Sequence, residues 1–392
     1  MLESMAVSVY LDHNATTPVH PAAAEAVAEA LRSQFGNASS VHAYGQAAKA
    51  ALDDARGSVA ALVGGEPAEI VFTSGGTEAD NLAIRGVAEA APTGRRHLIA
   101  SAIEHEAVLH TCKALAARGW RTSLLPVDSR GVVDPAALEG AITPETALVS
   151  VMHANNEIGT LQPIAELARV AHDRGVRVHV DAVQSAGKVP LDARALGVDL
   201  LSISGHKFNG PKGAGALWVR RGTRVAATMT GGRQERNRRG GTENVPAIVG
   251  LGVAARVARE RLESTAADCR ALRDRLEAGI LEGVPGTVVN GTPGARVPNT
   301  TSLSFDGVEA EALLIALDLE GIAVSTGSAC SSGTLEPSHV LRAMGFPPRR
   351  VQSSIRFSVG LGNTDTEIDR VLAVLPGVVA RLRALAGAGV RA

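Results

Sequence analysis

The sequence has little cysteine. Its three cysteines, Cys112, Cys269 and Cys330, are widely separated among 392 residues. Three scattered cysteines are too few for a disulfide framework and too dispersed for a closed zinc site. Any cysteine with a special role is therefore expected to act as a single thiol.

Long hydrophobic runs and a large net charge are also missing. No apolar stretch approaches the roughly 20 residues that a membrane-spanning helix needs, and the N-terminus has no basic segment followed by an apolar one. The net charge is -1, so no overall attraction to nucleic acid or to an anionic membrane is expected. Because 45% of the residues are hydrophobic and 20% are charged, we predict a cytoplasmic globular protein with a large core.

Short apolar runs alternate with longer stretches of helical periodicity between residues 68 and 220. This alternation is typical of βα units, and continuous apolar runs suit a parallel sheet that is covered on both faces. The predicted strands are EIVFTS, RHLIAS, TALVSVMH, VRVHVDA, DLLSIS and GALWV, and the predicted helices include DNLAIRGVAEA and IAELARVAHDRG. Residues 245–284 are predicted to be helical, with room for one break, and to lead into a smaller α+β domain whose last helix begins near Thr366.

A glycine turn follows the first of these strands. Gly76 and Thr77, in FTSGGTEADN, come at the predicted start of a helix, where free backbone N–H groups and the helix dipole favour an anion such as phosphate. The same residues are equally explained as an ordinary loop with a threonine N-cap. The pattern is neither G-x-G-x-x-G nor a P-loop, which argues against NAD binding and nucleotide hydrolysis.

Polar side chains follow the other predicted strands. They are His105; His153, Asn155, Asn156 and Glu157; Asp181 and Gln184; and Ser204, His206 and Lys207. In an open parallel sheet, ligands bind outside the carboxyl ends of the strands. Each side chain alone is also explained as a turn or surface residue. A carboxylate at the end of a buried strand, however, is costly unless a cation or a strong donor meets it.

Together these groups match what pyridoxal 5'-phosphate requires. Its aldehyde needs a lysine, its ring nitrogen needs an acid, and its phosphate needs backbone donors and hydroxyls. Lys207 in SGHKFNGPKG supplies the amine, and Asp181 supplies the acid. We therefore predict that Lys207 binds the cofactor covalently. A purely structural polar network is the remaining alternative.

The sequence resembles the cysteine desulfurases of the iron-sulfur-cluster and nitrogen-fixation type, which are class V aminotransferase relatives of PLP fold type I. The motifs run nearly end to end: YLDHNATTPV, FGNASSVHAYGQ, FTSGGTEADNLAI, EHEAVL, NNEIGTLQP, HVDAVQSAGK, SGHKFNGPKG, GGRQERNRRGGTENV, GSACSSGTLEPSHVLRAMG and SSIRFSVG. The resemblance implies an α/β fold in which residues 16–262 form a large PLP-binding domain around a mainly parallel, seven-stranded sheet. Residues 1–15 and 263–392 would form a small α+β domain.

The resemblance also implies a role for each matching residue. Lys207 would bind the cofactor aldehyde, His105 would stack on its ring, Asp181 would contact the pyridine nitrogen, and Gln184 would lie near the ring hydroxyl. Gly76, Thr77, Ser204 and His206 would hold the phosphate, while Thr242 would reach the phosphate of the partner subunit in a homodimer. Asn156 and Arg356 would contact the substrate, the arginine through a bidentate clamp on its carboxylate. No metal ligand is implied.

Cys330 distinguishes this family from its relatives. Its surroundings, TGSACSSGT, predict a mobile and exposed loop, whereas Cys112 and Cys269 fall in helical patterns and are predicted to be structural. The resemblance makes Cys330 the nucleophile that takes sulfur from L-cysteine, leaving L-alanine and a persulfide for an acceptor protein. Lys207 would be the general base, and His105 is a candidate for handling protons.

Three other functions are considered. An aminotransferase or selenocysteine lyase of the same fold would require a keto acid or prefer selenocysteine, and an inactive scaffold for sulfur acceptors would have lost the lysine or the cysteine. A metal-dependent hydrolase would use His105, His179, Asp181 and His206, but the sequence has no H-E-x-x-H or comparable spacing.

Two features stay open in the sequence. The basic segment RQERNRRGG, residues 233–241, is explained either as a solvated face or as a surface that attracts an acidic acceptor; direct nucleic-acid binding is not expected. The destination of the sulfur is also open among iron-sulfur assembly, tRNA thiolation, DNA phosphorothioation and cofactor synthesis.

Overall fold

The computed structural model describes residues 9–327 and 337–389. The strands are β1 (Val9–Tyr10), β2 (Ile70–Thr73), β3 (His97–Ser101), β4 (Arg121–Leu125), β5 (Thr146–Ser150), β6 (Arg177–Asp181), β7 (Leu200–Ser204), β8 (Gly215–Val219), β9 (Thr287–Asn290), β10 (Thr300–Phe305), β11 (Ile322–Ala323) and β12 (Ser354–Ser358). The helices are α1 (Pro21–Ser33), α2 (Ala43–Leu62), α3 (Gly76–Glu89), α4 (Glu106–Ala116), α5 (Pro135–Ala141), α6 (Ile164–Asp173), α7 (Gln234–Asn237), α8 (Val245–Glu260), α9 (Leu262–Gly283), α10 (Ala310–Leu319), α11 (His339–Ala343), α12 (Pro348–Gln352) and α13 (Asp365–Gly389).

The central sheet has seven strands in the order β2-β8-β7-β6-β5-β3-β4. Strand β8 is antiparallel to both β2 and β7, whereas the pairs formed by β3 to β7 are parallel. Strands β2, β3, β6 and β7 therefore end at the same edge of the sheet. The predicted α/β fold with a mainly parallel sheet is confirmed.

Helices cover both faces of this sheet, as the continuous apolar strands predict. Leu82 of α3 and Leu217 of β8 are buried on one face. Val59 of α2, Val180 of β6 and Leu251 of α8 are buried on the other. Strand β4 has no counterpart among the strands predicted from periodicity, because it is an edge strand whose residues are mostly exposed or half-buried.

The remaining strands form smaller sheets. Strands β12, β10 and β9 are antiparallel neighbours, and β1 pairs in parallel with β11. Together with α9, α10 and α13 they enclose a separate hydrophobic cluster that includes Leu276, Phe305, Leu313 and Phe357. Val9 also belongs to this cluster, so the N-terminal segment packs with the C-terminal part of the chain. The exact domain boundaries, after residues 15 and 262, stay a prediction.

The long helical segment and the last helix agree closely with their sequence patterns. The predicted break within residues 245–284 lies at Arg261, between α8 and α9. The last helix, expected near Thr366, begins at Asp365. In the ranges that the structure describes, no helix is both long and apolar enough to cross a membrane.

The basic segment contains a left-handed turn. Glu235, Arg236 and Asn237 have φ values of 47°, 58° and 63°, which are strained for residues other than glycine. Glu235 compensates for this strain because its carboxylate accepts hydrogen bonds from both Arg56 Nη atoms, at 2.6 and 2.7 Å, and from the Phe72 N–H group at 2.9 Å.

Arginines of this segment bind the chain itself. Arg236 and Arg238 donate to the carbonyl of Ala68, and Arg239 pairs with Glu78 at 2.9 Å. These three arginine side chains therefore form hydrogen bonds within the molecule. The segment is not a fully solvated face.

We predict that Arg56→Met destabilises the protein by about 3–5 kcal/mol, since Glu235 then stays buried without its cation. Urea unfolding of the purified protein would measure the loss. Lys49→Met is the matched control on the same helix, because the pair between Lys49 and Asp53 is exposed and worth at most about 1 kcal/mol. Equal losses in the two variants would contradict this interpretation of the Arg56–Glu235 pair.

Candidate active site

A cavity of about 300 Å³ lies at the edge where the parallel strands end. It is lined by Asn14, Ala15, Gly76, Thr77, Asp80, His105, Met152, Asn156, Asp181, Val183, Gln184, Ser204, His206, Lys207, Gly327 and Arg356. Ten residues predicted to bind cofactor or substrate are thus brought together, although their roles stay predictions. Thr242 is exposed and does not line this cavity, and Cys330 lies outside the described residues.

One end of the cavity suits an anion. Helix α3 begins at Gly76, and its N-cap residue, Gly75, has no side chain that could accept a hydrogen bond from the first N–H groups of the helix. A Cβ atom on Gly76 would come within 2.7 Å of a methyl group of Val183, so the close approach of helix and loop requires glycine. Ser204 and His206 line the same cavity, and His206 Nδ1 lies 3.1 Å from the hydroxyl of Thr16. Uncapped N–H groups and hydroxyls are a donor set typical of phosphate sites.

Lys207 ends a single 3-10 turn, Gly205–Lys207, directly after β7. Its Nζ atom donates to the backbone carbonyls of Asn14 and Ala15, at 2.7 and 2.8 Å. The amine therefore lies in the cavity wall beside the N-terminal segment. The apolar strand before it fixes the position of its backbone.

Asp181 is the last residue of β6, and it is only 4% exposed. Its Oδ1 atom accepts the N–H of Val183 at 2.9 Å. Burial raises the pKa of Asp181, while the nearby charges of His105 and Lys207 lower it. A ligand that offers a cationic N–H group would stabilise the ionised carboxylate.

His105 is the N-cap of α4, and its Nδ1 atom accepts the N–H of Ala107 at 3.1 Å. In the neutral ring the proton is therefore on Nε2. Burial lowers the pKa of His105, as does the charge of Lys207, whereas Asp181 opposes the shift. The ring is a neutral, flat group with one N–H donor near neutral pH.

Arg356, on β12, brings a second cation to the cavity. Its Nη2 atom donates to Asp12 at 2.7 Å, and its Nη1 atom donates to the carbonyl of Asn156 at 2.9 Å. Its Nε atom is buried and has no hydrogen-bond partner. A guanidinium with a spare donor is suited to a carboxylate.

Sequence reasoning missed residues in the cavity wall and directly behind it. Asn14 connects several segments, since its side chain donates to Thr300 Oγ1 at 2.8 Å and accepts from Asn299 at 3.0 Å. Lys188 lies behind Gln184, four residues along the chain. Both occur in motifs quoted above, YLDHNATTPV and HVDAVQSAGK, but a single sequence gives no sign of contacts between distant segments.

Two further buried acids, Asp80 and Glu104, lie near Asp181. Burial raises the pKa of Glu104 to about 8, and it raises the pKa of Asp80 well above its usual value, with a further contribution from the charge of Asp181. Asp80 Oδ1 has no hydrogen-bond partner. Its nearest cationic candidate, His179, is 3.5 Å away, but burial lowers the pKa of His179 to about 3, so this contact is not an ion pair at neutral pH.

The metal-dependent hydrolase finds no support in this geometry. Both ring nitrogens of His179 are already bonded, to the hydroxyls of Ser150 and Ser202 at 2.8 and 2.9 Å. Within residues 9–327 and 337–389, no group of three or more candidate ligands is arranged to hold a metal ion.

The donor set fits pyridoxal phosphate instead. The cavity combines an uncapped helix start, a lysine, a buried acid and an unpartnered guanidinium nitrogen. Its volume lies at the lower end of the roughly 300–1,000 Å³ that is usual for small-molecule sites. The unpartnered Asp80 Oδ1 and Arg356 Nε atoms are buried polar groups that a polar ligand would satisfy. Fold and site together fit an α/β transferase that uses pyridoxal phosphate.

The chain belongs to the aminotransferase class-V family, whose model matches residues 9–371. It is 51% identical to a cysteine desulfurase of Gluconacetobacter diazotrophicus, over 96% of this chain and 94% of that protein. It is 48% identical to the cysteine desulfurase IscS of Methanosarcina thermophila, over 96% and 93%. A solved NifS-like protein has a TM-score of 0.90 and 39% identity, covering 96% of this chain and all of that one. The predicted family is confirmed.

The raised pKa of Glu104 gives a testable pH dependence. The unfolded chain ionises this carboxyl above about pH 4.5, whereas the folded protein retains the proton up to about pH 8. The folded state therefore binds more protons in this interval, and its stability falls as pH rises until the effect saturates above pH 8. Glu104→Gln removes this dependence.

From pH 4.5 to pH 8 we expect the free energy of unfolding of the wild type to fall by about 4 kcal/mol relative to that of Glu104→Gln. Urea unfolding of the cofactor-free protein at several pH values measures it. Glu106→Gln, on the first turn of α4, is the matched control for the loss of a carboxyl. A stability difference for Glu104→Gln that does not change with pH would contradict a raised pKa of Glu104.

Proposed function

We propose that this protein is a pyridoxal-phosphate-dependent cysteine desulfurase that converts L-cysteine to L-alanine and leaves a persulfide on Cys330. The observation that carries the proposal is the single cavity in which Lys207, Asp181 and Arg356 meet the uncapped start of α3. The proposal agrees with the names of the relatives reported above.

The cofactor would be held by residues that line this cavity. Gly76, Thr77, Ser204 and His206 would bind its phosphate, Asp181 its ring nitrogen and Gln184 its ring hydroxyl, with His105 against the ring. When bound, pyridoxal phosphate would supply an aldehyde that binds amines and a ring that stabilises a carbanion at Cα. Lys207, which lies against two backbone carbonyls, would be the covalent tether.

The substrate would be oriented by Arg356 and Asn156. Asp12 and the Asn156 carbonyl already fix the guanidinium plane, so the free Nε donor has a defined direction towards a carboxylate. Once released by substrate, the Nζ atom of Lys207 is the base for the Cα proton. The N–H group on Nε2 of the neutral His105 ring would be a proton donor.

The sulfur step balances without an external oxidant. The thiolate of Cys330 attacks the substrate sulfur, so an S–S bond forms and the Cβ–S bond breaks. The electron pair of the broken bond stays with the substrate carbon, which takes up a proton and becomes the methyl group of alanine. The two sulfur atoms are oxidised formally, and Cβ is reduced. The outer sulfur of the persulfide would then be transferred to an acceptor protein or another thiol.

We further propose that the enzyme is a homodimer in which Thr242 completes the partner's phosphate site. Phe35 and Val41, between α1 and α2, and Tyr44, in the first turn of α2, are 74%, 89% and 60% exposed, and the rings of Phe35 and Tyr44 lie 4.9 Å apart. Ser39 of this segment and Glu243, next to Thr242, line one surface cavity. An apolar patch beside an exposed threonine suits a contact with a second copy of the chain.

We expect Lys207→Ala to abolish borohydride-trapped cofactor on residue 207, which peptide mass spectrometry would detect in the wild type.

Cys330→Ala should keep the bound cofactor, but its rates of sulfide release and alanine formation should fall at least about a hundredfold, since the attacking sulfur is gone. Cys112→Ala is the matched control, because Cys112 is buried in α4 away from the cavity. A Cys330→Ala protein that desulfurates cysteine at full rate would refute the assignment.

The dimer proposal has its own test. Val41→Asp should produce monomers in light scattering and weaken cofactor retention, because a charge is placed in the apolar patch. Thr242→Val should stay dimeric but retain the cofactor poorly. If the site is shared, mixing Thr242→Val with Lys207→Ala subunits restores part of the activity, since one site of each mixed dimer is intact. No recovery in mixed dimers would exclude a shared site.

A further inference from the structure

Lys188 is a buried cation that the proposed reaction does not use. It follows Gln184 by four residues, and its Nζ atom donates to Gln184 Oε1 at 2.7 Å and to Asn14 Oδ1 at 3.1 Å. Both acceptors are uncharged amide oxygens. Its side chain lies between the candidate active site and a second, smaller cavity that it helps to line.

This arrangement is costly for a lysine. Burial, and then the charges of Lys207 and Arg356, lower the pKa of Lys188 to about 7. An apolar side chain of similar length, such as methionine, would fill the same space without desolvating an amine. The amine therefore does something that packing alone does not require.

The chemistry of the contact fixes the orientation of the Gln184 amide. When Lys188 is protonated it has three donors and no acceptor, so the amide oxygen, not the amide nitrogen, faces it. The amide nitrogen then points away from Lys188 and donates to the backbone carbonyl of Asn14 at 2.8 Å. One of its two hydrogens is used in this bond. The other remains for a ligand in the cavity that Gln184 lines.

Asn14 connects this contact to the reactive lysine. The carbonyl that accepts from Gln184 also accepts from Lys207 Nζ at 2.7 Å. The side chain of the same asparagine accepts from Lys188. Lys188 therefore holds Gln184 and Asn14, which both line the candidate active site. Lys188 itself does not line that cavity.

We propose that Lys188 is a positioning residue: it holds Gln184 so that an N–H donor, not the amide oxygen, meets an oxygen acceptor on the bound ligand. This inference rests on the proposed function, in which that acceptor is the ring hydroxyl oxygen of pyridoxal phosphate. Without Lys188, only the bond from its nitrogen to the Asn14 carbonyl orients the amide, so its oxygen would face the ligand oxygen in a larger fraction of the molecules.

The test compares Lys188→Met, Gln184→Leu and the double variant in the cofactor-free, full-length protein. Equilibrium dialysis measures the dissociation constants of pyridoxal phosphate and of 3-deoxypyridoxal phosphate, which lacks the ring hydroxyl. We expect each single substitution to weaken binding of pyridoxal phosphate about tenfold, the effect of one hydrogen bond, and the double variant to lose no more. Binding of the 3-deoxy compound should be the same in Lys188→Met and the wild type.

A merely structural role would give different results. Equal losses for the two compounds, additive losses in the double variant, or no loss in Lys188→Met would each overturn the proposal. Lys113→Met, at an exposed position on α4, is the matched control and should bind both compounds as the wild type does. If the wild-type protein binds no pyridoxal phosphate, the proposed function fails as well; if it binds normally and only these comparisons fail, the proposed function stands without this inference.

Discussion

The cost of burying charged groups at one edge of a parallel sheet is the constraint on which the rest of the structure depends. Asp181 and Arg356 are each only 4% exposed, yet both meet a partner, the Val183 N–H group in one case and Asp12 in the other. Lys207 is held by two backbone carbonyls. Because unpaired buried charges are penalised strongly, each of these side chains has few alternative positions. The cost of leaving a buried charge unpaired therefore fixes the positions of the polar side chains in the cavity.

The N-terminal segment supplies much of this compensation. Asp12 holds the guanidinium of Arg356, and the Asn14 N–H group donates to Ser358 at 2.9 Å, so the segment is fixed to β12 of the smaller sheet. Asn14 also accepts from Lys207 and Lys188, which follow strands β7 and β6 of the larger sheet. A few residues thus set the distance between Lys207 and Arg356. Their position is determined by hydrogen bonds on both sides.

Sequence reasoning predicted what local pattern controls. Apolar runs of four or five residues located most strands of the central sheet, and the polar residue after each run located His105, Asp181 and Lys207 at one edge. It missed β4, whose exposed residues lack a periodic pattern. It also gave Lys188 no role, because contacts between segments 174 residues apart, such as Lys188 with Asn14, leave no local trace. The role of Cys330 rests on resemblance alone.

Burial also decides which groups around the cavity carry charge. It lowers the pKa of His153 and of His206 to about 4 and raises that of Glu104 to about 8, so all three are neutral at pH 7. The start of α3, Lys207, Arg356 and Asp181 then remain as the groups that line the cavity and can complement charge on a ligand. A ligand with an anion at each end and a cationic ring nitrogen in the middle complements this pattern. Pyridoxal phosphate together with the carboxylate of an amino acid would have that distribution of charge.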